Sequence, residues 1–203
     1  MLCVRLIELD EVVRQIGARA SLSDSTVVAI DGPSGSGKST LARRLAERMT
    51  GSTVVAIDDF GSWGDPTGQT WWDRLEDQVL VPAFAGQPLR YQVRDWDNDE
   101  FGAGLAGWRS APANLVVIIE GVSSARASVR RRGAFTIWIE APADTRLERG
   151  LQRDGESHRN LWLAWMQAEG DYFSQDQTRA AADLRVDGDP VVPHDPSTQL
   201  VVF

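Results

Sequence analysis

The amino-acid sequence predicts a three-layer α/β fold: a mainly parallel five-stranded sheet, helices on both faces and a helical lid. Three observations predict it. Apolar runs alternate with segments of helical periodicity between residues 26 and 186, the order that builds parallel sheets from strand–helix–strand units. The run Leu115-Val116-Val117-Ile118-Ile119 is apolar at every position, as a strand buried on both faces must be. Between the first apolar run and the helix after it stands Gly32-Pro33-Ser34-Gly35-Ser36-Gly37-Lys38-Ser39. That spacing is G-x-x-x-x-G-K-[ST], in the strand–loop–helix context it requires.

The elements follow in order. Leu6, Leu9, Val13 and Ile16 recur at helical spacing, which predicts an amphipathic helix over 5–18. A polar connector, Ser21 to Ser25, leads to a strand over 26–31, then the glycine-rich loop. The next helix carries Leu41, Leu45 and Ala46 on one side and ends near Gly51. Val54-Val55-Ala56-Ile57 is the second strand and runs into Asp58-Asp59-Phe60-Gly61. Residues 70–85 read as a helix with Trp71, Leu75, Val79 and Leu80 on one face, broken by Gly86-Gln87-Pro88. Leu89 to Trp108 shows no clean period and reads as an irregular excursion over the C-terminal edge of the sheet. The third strand is 115–119; a short arginine-rich helix over 124–132 reads as a solvated face. The fourth strand is 135–139. Pro142 suits the first turn of a helix over 142–154. In the helix over 157–173, the stripe Trp162, Trp165, Met166, Tyr172 reads as core. A fifth strand over 182–186, a turn at Asp187-Gly188-Asp189-Pro190 and a short apolar tail close the chain. The expected organisation is one domain over 1–203, with an excursion over 63–109 and a lid over 142–173.

Composition bounds the function. A hydrophobic fraction of 42% and a charged fraction of 25% suit a soluble protein with a substantial core. The net charge of −8 argues against a nucleic-acid polymer or an anionic membrane as partner. No apolar run reaches the roughly 18 residues of a membrane span. The early Glu8, Asp10 and Glu11 are unlike a signal peptide. One cysteine, Cys3, excludes an internal disulfide and fits a reducing compartment, so a cytoplasmic protein is expected.

The glycine-rich loop carries the clearest chemistry. Its glycines let the backbone turn tightly and aim N–H groups at a phosphate, and the helix behind adds its positive end. Gly32, Ser34, Gly35, Ser36, Gly37, Lys38, Ser39 and Thr40 are therefore the candidate nucleotide contacts. In such loops the lysine reaches the β- and γ-phosphates and the Ser39 hydroxyl holds Mg²⁺. Of the 21 basic residues only Lys38 is lysine, a compact point charge where the motif wants one. Asp58 and Asp59 stand at a strand's C-terminal end, where open α/β sheets bind ligands; an acidic turn or helix cap is the plainer alternative. Glu120 ends the third strand at the same edge. Arg146, Arg149 and Arg153 share one helix face, with Asp144 and Glu148 as alternative surface partners. His158 and His194 are isolated and receive no role.

Taken together, GPSGSGKST, then Asp58-Asp59-Phe60, then IIEG, then RLERGLQRD resembles the uridine-kinase-like branch of the P-loop kinases, the wider group that includes phosphoribulokinase and bacterial pantothenate kinase. The resemblance covers about 25–187 and implies an ATP- and Mg²⁺-dependent kinase of a small hydroxylated metabolite. It implies that Asp58 accepts the acceptor hydroxyl's proton, with Asp59 as rival, and that Glu120 lies near Mg²⁺, through water. It implies that Arg146, Arg149 and Arg153 are lid arginines: Arg146 on the nucleotide, Arg149 and Arg153 on the transferring phosphoryl group. Two departures stand out. Gly61 takes the place of the family's usual second aromatic, and Arg94-Asp95-Trp96 only partly matches the acceptor segment, with neither histidine nearby.

The acceptor segment from Trp63 to Arg109 holds five of the eight tryptophans. Its charged residues are Arg74, Arg90, Arg94 and Arg109 against Asp65, Asp73, Glu76, Asp77, Asp95, Asp97, Asp99 and Glu100. An acidic, aromatic surface suits a neutral ring bearing hydroxyls, such as a nucleoside, and not a nucleoside monophosphate. Asp59, Phe60, Arg90, Tyr91 and Trp96 are the candidate acceptor contacts. The alternatives are a pantothenate- or sugar-like acceptor, or a nucleotide-binding switch. The Asn-Lys-x-Asp guanine motif of a GTPase is absent. The expected partners are ATP and the acceptor; a homodimer is left open.

Overall fold

The computed structural model describes residues 4–20, 25–65, 67–113 and 116–203. Cys3, most of the connector predicted over 21–25, and Leu115 lie outside the described residues. Five adjacent parallel strands make up most of a seven-stranded sheet: β2 (Thr26–Asp31), β3 (Ser52–Ala56), β6 (Val116–Glu120), β7 (Phe135–Glu140) and β8 (Leu184–Asp187). The order is β1-β9-β8-β7-β2-β6-β3, with β1 (Arg5–Glu8) and β9 (Gln199–Val202) added antiparallel at one edge.

Period-two burial splits the core. Val28 and Ile30 of β2 face α1 (Leu9–Ala20) and α2 (Lys38–Arg48), where Leu9, Val12, Ile16, Leu41 and Leu45 are buried. Val27 and Ala29 face the other way, against Trp71, Leu75, Val79 and Leu80. Each such aliphatic side chain contributes about 1.5–3 kcal/mol when removed from water, so both helical layers are fixed by the same strand.

Three expectations are corrected. The helix predicted over 5–18 is a strand followed by a helix. Arg5-Leu6-Ile7-Glu8 pairs with β9 in the register Arg5↔Val202 to Glu8↔Gln199, leaving Ile7 buried and Leu6 exposed. The partner strand lies at the opposite end of the chain, where no local period reveals it. The excursion over 89–108 is ordered: β4 (Leu89–Arg94) and β5 (Leu105–Ala111) form a separate antiparallel hairpin. Leu89, Tyr91 and Val93 alternate inward, a strand period diluted by the residues around it. The arginine-rich helix shrinks to α5 (Ala127–Arg130); Arg131 and Arg132 are exposed as a solvated face would be, but Arg130 pairs with Asp176 and Arg126 lies over Trp72.

The remaining helices lie near the predicted places. α3 (Trp72–Leu75) passes through one π-helical turn into α4 (Val81–Phe84). α6 (Ala143–Asp154) and α7 (Arg159–Asp176) form the helical pair beside the loop, and α8 (Thr178–Ala181) leads into β8. No helix among the described residues is long and apolar enough to cross a membrane.

Candidate active site

The parallel register brings the chemistry to one edge. Glu120 pairs with Ile30 of β2 and Ala56 of β3, so it stands between the glycine-rich loop and Asp58. Gly32 is required at the loop's start: at φ 141 a Cβ would sit 2.0 Å from the Ile139 carbonyl oxygen. Lys38 begins α2 and is buried, its ammonium donating to the carbonyls of Gly32 at 2.9 Å and Pro33 at 3.0 Å. The first N–H groups of that helix have no intrahelical acceptors and are free by geometry for an anion.

A cavity of about 700 Å³ opens over this edge. Gly35, Gly37, Lys38, Ser39 and Thr40 form one end, with Asp58 and Glu120 beside them. Burial raises the Glu120 carboxyl above its ordinary range and the Asp58 charge adds to this; Lys38 and a hydrogen bond from Ser39 oppose it. A buried carboxylate and a hydroxyl already in contact are hard oxygen donors of the kind that hold Mg²⁺ together with phosphates. No cage of three or more His, Cys, Asp or Glu side chains exists among the described residues. Glu120 and Ser39 therefore fit a cation that phosphates complete.

The two adjacent aspartates part company. Asp58 is exposed and faces the cavity. Asp59 is 8% exposed and held by the Arg109 guanidinium, with both oxygens within 2.8 Å. Burial raises the Asp59 carboxyl and Arg109 opposes it.

The arginines of α6 also differ. Arg149 and Arg153 line the cavity. Arg149 donates to the carbonyls of Gly35 at 3.2 Å and Gly188 at 3.1 Å and to Asp189 at 2.7 Å. Arg153 holds Asp154 at 2.7 and 2.9 Å. Arg146 is outside the lining; it donates to Ala141 O, to Ser34 O at 3.3 Å and to the buried Glu169 at 3.0 Å.

The far end of the cavity is aromatic. Trp63 meets Trp162 and Trp165 edge-to-face, with centroids 6.1 and 5.2 Å away, and stacks on His158 at 6.2 Å. His158 bonds Glu100 of the β4–β5 loop at 2.9 Å. The Trp96 indole N–H donates to Asp58 O at 2.7 Å, which puts this wall directly on the Asp58 backbone. Beside Gly61 the Trp71 ring lies 3.7 Å from where a Cβ would stand, so Trp71 fills the space an aromatic at that position would need.

Of the candidate acceptor contacts, Trp96 lines the cavity. Phe60 and Tyr91 stack on each other at 5.6 Å in the core beneath it. Arg90 lies over Trp108 at 4.6 Å, away from the lining. Sequence reasoning missed Trp162, Trp165, His158, Glu100 and Asp154. A helical stripe of aromatics looks the same whether it faces a core or a cavity, and His158 lies far from Glu100 in the chain.

A glycine-rich loop between a parallel strand and a helix, with carboxylates on the neighbouring strand ends, defines a P-loop nucleotide-binding protein. The family model described as AAA domain (AAA_18) matches residues 28–171, and the chain belongs to that family. The fold is that of the uridine-kinase-like P-loop kinases. The solved structure of a possible uridine kinase from Bacillus stearothermophilus superposes with a TM-score of 0.62 at 20% identity, covering 87% of this chain and 96% of that one. A cytidylate kinase of Natronomonas pharaonis is 28% identical over 134 residues, 64% of this chain and 60% of the relative. Another, of Haloarcula marismortui, is 25% identical over 133 residues, 64% of this chain and 59% of the relative. The match thus spans less than two thirds of those curated relatives.

Proposed function

We propose that this chain is a kinase that moves the γ-phosphoryl group of ATP, with Mg²⁺, to a hydroxyl of a small metabolite, and that a nucleoside-like acceptor is favoured. The observation that carries the reading is the single cavity joining Lys38 and Ser39, through Asp58 and Glu120, to the aromatic wall. It offers a phosphate end, a proton acceptor and a place for a ring in one line. Lys38 binds the β- and γ-phosphates; Ser39 and Glu120 hold Mg²⁺, which supplies positive charge to the phosphates. Asp58 takes the proton of the attacking hydroxyl, since it is exposed and opens to the cavity while Asp59 is buried against Arg109. Arg149 and Arg153 turn from their carboxylate partners to the transferring group. The chain then works as one kinase domain, with 63–109 receiving the acceptor and 142–173 as the lid.

An acceptor with no phosphate of its own is favoured, because within its segment Arg74, Arg94 and Arg109 hold protein oxygens and none of the segment's arginines lines the cavity. Arg74 donates to the carbonyls of Gln92 and Phe60, and Arg94 to those of Phe60 and Ala103. Arg109 holds Asp59, and Arg90 stacks on Trp108. A phosphate would need such groups free for bidentate contact. What remains is stacking surface and carboxylates that accept from hydroxyl or amino groups.

A coupled ADP-release assay across nucleosides, their monophosphates, pantothenate and sugars tests this. Turnover of a nucleoside with its monophosphate inert supports the reading. Robust turnover of a monophosphate with nucleosides inert overturns the acceptor assignment, and turnover of pantothenate or a sugar alone replaces the ring with another hydroxylated metabolite.

A further inference from the structure

Ser34, the third residue of the phosphate-binding loop, is bonded through its N–H, its hydroxyl oxygen and its carbonyl to the helical pair α6–α7. Its N–H donates to both carboxylate oxygens of Glu169, at 3.0 and 3.2 Å. Its hydroxyl oxygen accepts from the Trp165 indole N–H at 2.8 Å. Its carbonyl accepts from Arg146 at 3.3 Å, and Arg146 in turn holds Glu169 at 3.0 Å. Glu169 is 1% exposed. A carboxylate this deep is retained at a desolvation cost, and it is satisfied here by one guanidinium and one backbone N–H. Trp165 and Glu169 are four residues apart, so one face of α7 presents both. The next residue, Gly35, has φ +77, and a Cβ there would stand 2.6 Å from the Arg146 carbonyl oxygen, so α6 packs directly on the loop backbone.

We infer that Glu169, with Arg146 and Trp165, forms a clamp that sets the phosphate-binding loop in its nucleotide-competent shape. These are positioning residues, and this rests on the nucleotide-binding part of the reading above. The inference changes the role of Arg146. As a lid arginine it would meet the nucleotide directly; in the clamp its charge neutralises Glu169, and its effect reaches the nucleotide through Ser34. A buried negative charge close to bound phosphates would otherwise repel them, so the pair belongs together. Arg149 and Arg153 line the cavity and would reach the phosphoryl group by leaving Asp189 and Asp154.

The clamp predicts a distinctive pattern in nucleotide affinity measured without acceptor. Calorimetric titration with ATP and Mg²⁺ isolates the loop from the aromatic wall that Trp165 also builds. Trp165→Phe keeps the ring and loses the one donor, so affinity should fall about threefold to tenfold. Glu169→Gln keeps an oxygen for the Ser34 N–H and should fall by a similar factor, with Glu169→Asp no better because its shorter arm cannot span both partners. Arg146→Ala should weaken ATP about tenfold or more, while kcat at saturating ATP stays within about threefold, and Glu169→Gln/Arg146→Ala should be no weaker than Arg146→Ala alone. Thermal melts of each variant, without ligand, separate a misfolded chain from a loosened loop; the two conservative variants are expected to stay folded. Wild-type ATP affinity in both Trp165→Phe and Glu169→Gln overturns the clamp. So does an Arg146→Ala variant whose kcat falls about a hundredfold with affinity unchanged, which would put Arg146 on the phosphoryl group. Loss of acceptor phosphorylation in the wild type, with ATP binding intact and weakened by the clamp variants, supports the clamp and overturns the kinase reading instead.

Discussion

Arg109 of the β4–β5 hairpin holds Asp59 at 2.7 Å and leaves the neighbouring Asp58 facing the cavity. The contact assigns different work to two adjacent carboxylates. Asp59 fastens the hairpin to the sheet edge; Asp58 is the one proposed to take the hydroxyl proton. Asp58→Asn is therefore expected to lower kcat by about 10²–10⁴-fold with ATP affinity near wild type. Asp59→Asn is expected to cost about 1 kcal/mol of stability, because Arg109 is half exposed, and to leave kcat within about tenfold. Steady-state kinetics and denaturant melts of the two variants check the pair; a crippled Asp59→Asn beside an active Asp58→Asn would reverse the assignment.

Lys38→Ala is expected to abolish phosphoryl transfer and weaken ATP binding, since no other lysine exists in the chain to take its place. Activity at the wild-type level would remove the loop from the mechanism.

Arg149→Ala and Arg153→Ala are expected to lower kcat more than they raise the KM for ATP. Charge on the phosphoryl group is redistributed in the transition state, so a cation aimed at it matters most there. A change in KM alone would make these arginines binding or structural groups, their guanidiniums staying on Asp189 and Asp154 as seen here.

Trp96→Ala is expected to raise the acceptor KM about tenfold and leave the KM for ATP within about twofold. The indole lines the cavity at the end proposed for the acceptor and anchors the Asp58 backbone through its N–H, and a stacked ring is worth about 0.5–1.5 kcal/mol beyond burial. Equal changes in both constants would indicate a general loosening of the edge.

Asp31 gives the fold a pH dependence. It is fully buried at the end of β2, and burial pushes its carboxyl up to about 7, against the N–H groups of Ala125, Gly32 and Ser123 and the charge of Lys38. A carboxyl whose folded value lies above its unfolded one binds more protons in the folded state. Its contribution is complete below about pH 4 and is lost as pH rises through about 7. Denaturant melts between pH 4.5 and 7.5 should therefore show a downward slope from this group, reduced in Asp31→Asn. An unchanged slope in the variant would place the titration elsewhere.

Much of this arrangement was readable from sequence, for identifiable reasons. The parallel strands announce themselves as continuous apolar runs, and the loop as glycines at fixed spacing. Lys38, Ser39, Glu120 and the Asp58–Asp59 pair come to one edge at once, because strand ends in such a sheet converge. The edge strands were hidden because β1 pairs with a strand at the far end of the chain. The choice between Asp58 and Asp59 was hidden because it depends on Arg109, which the hairpin brings from 50 residues away. Trp162 and Trp165 were hidden because periodicity reports which face is apolar and says nothing of what that face meets. Spacing puts Arg146 on one helix face and the resemblance implies a lid role; its contact with Glu169 depends on how α6 and α7 pack.

The most direct test follows the labelled γ-phosphoryl group of ATP through one turnover with a nucleoside present, in the wild type and in Asp58→Asn. The account predicts label on a hydroxyl of the nucleoside in the wild type, ADP formed in equal amount, and neither product on that timescale in the variant. Label released as inorganic phosphate at a rate indifferent to any acceptor, and unaltered in Asp58→Asn, would contradict it.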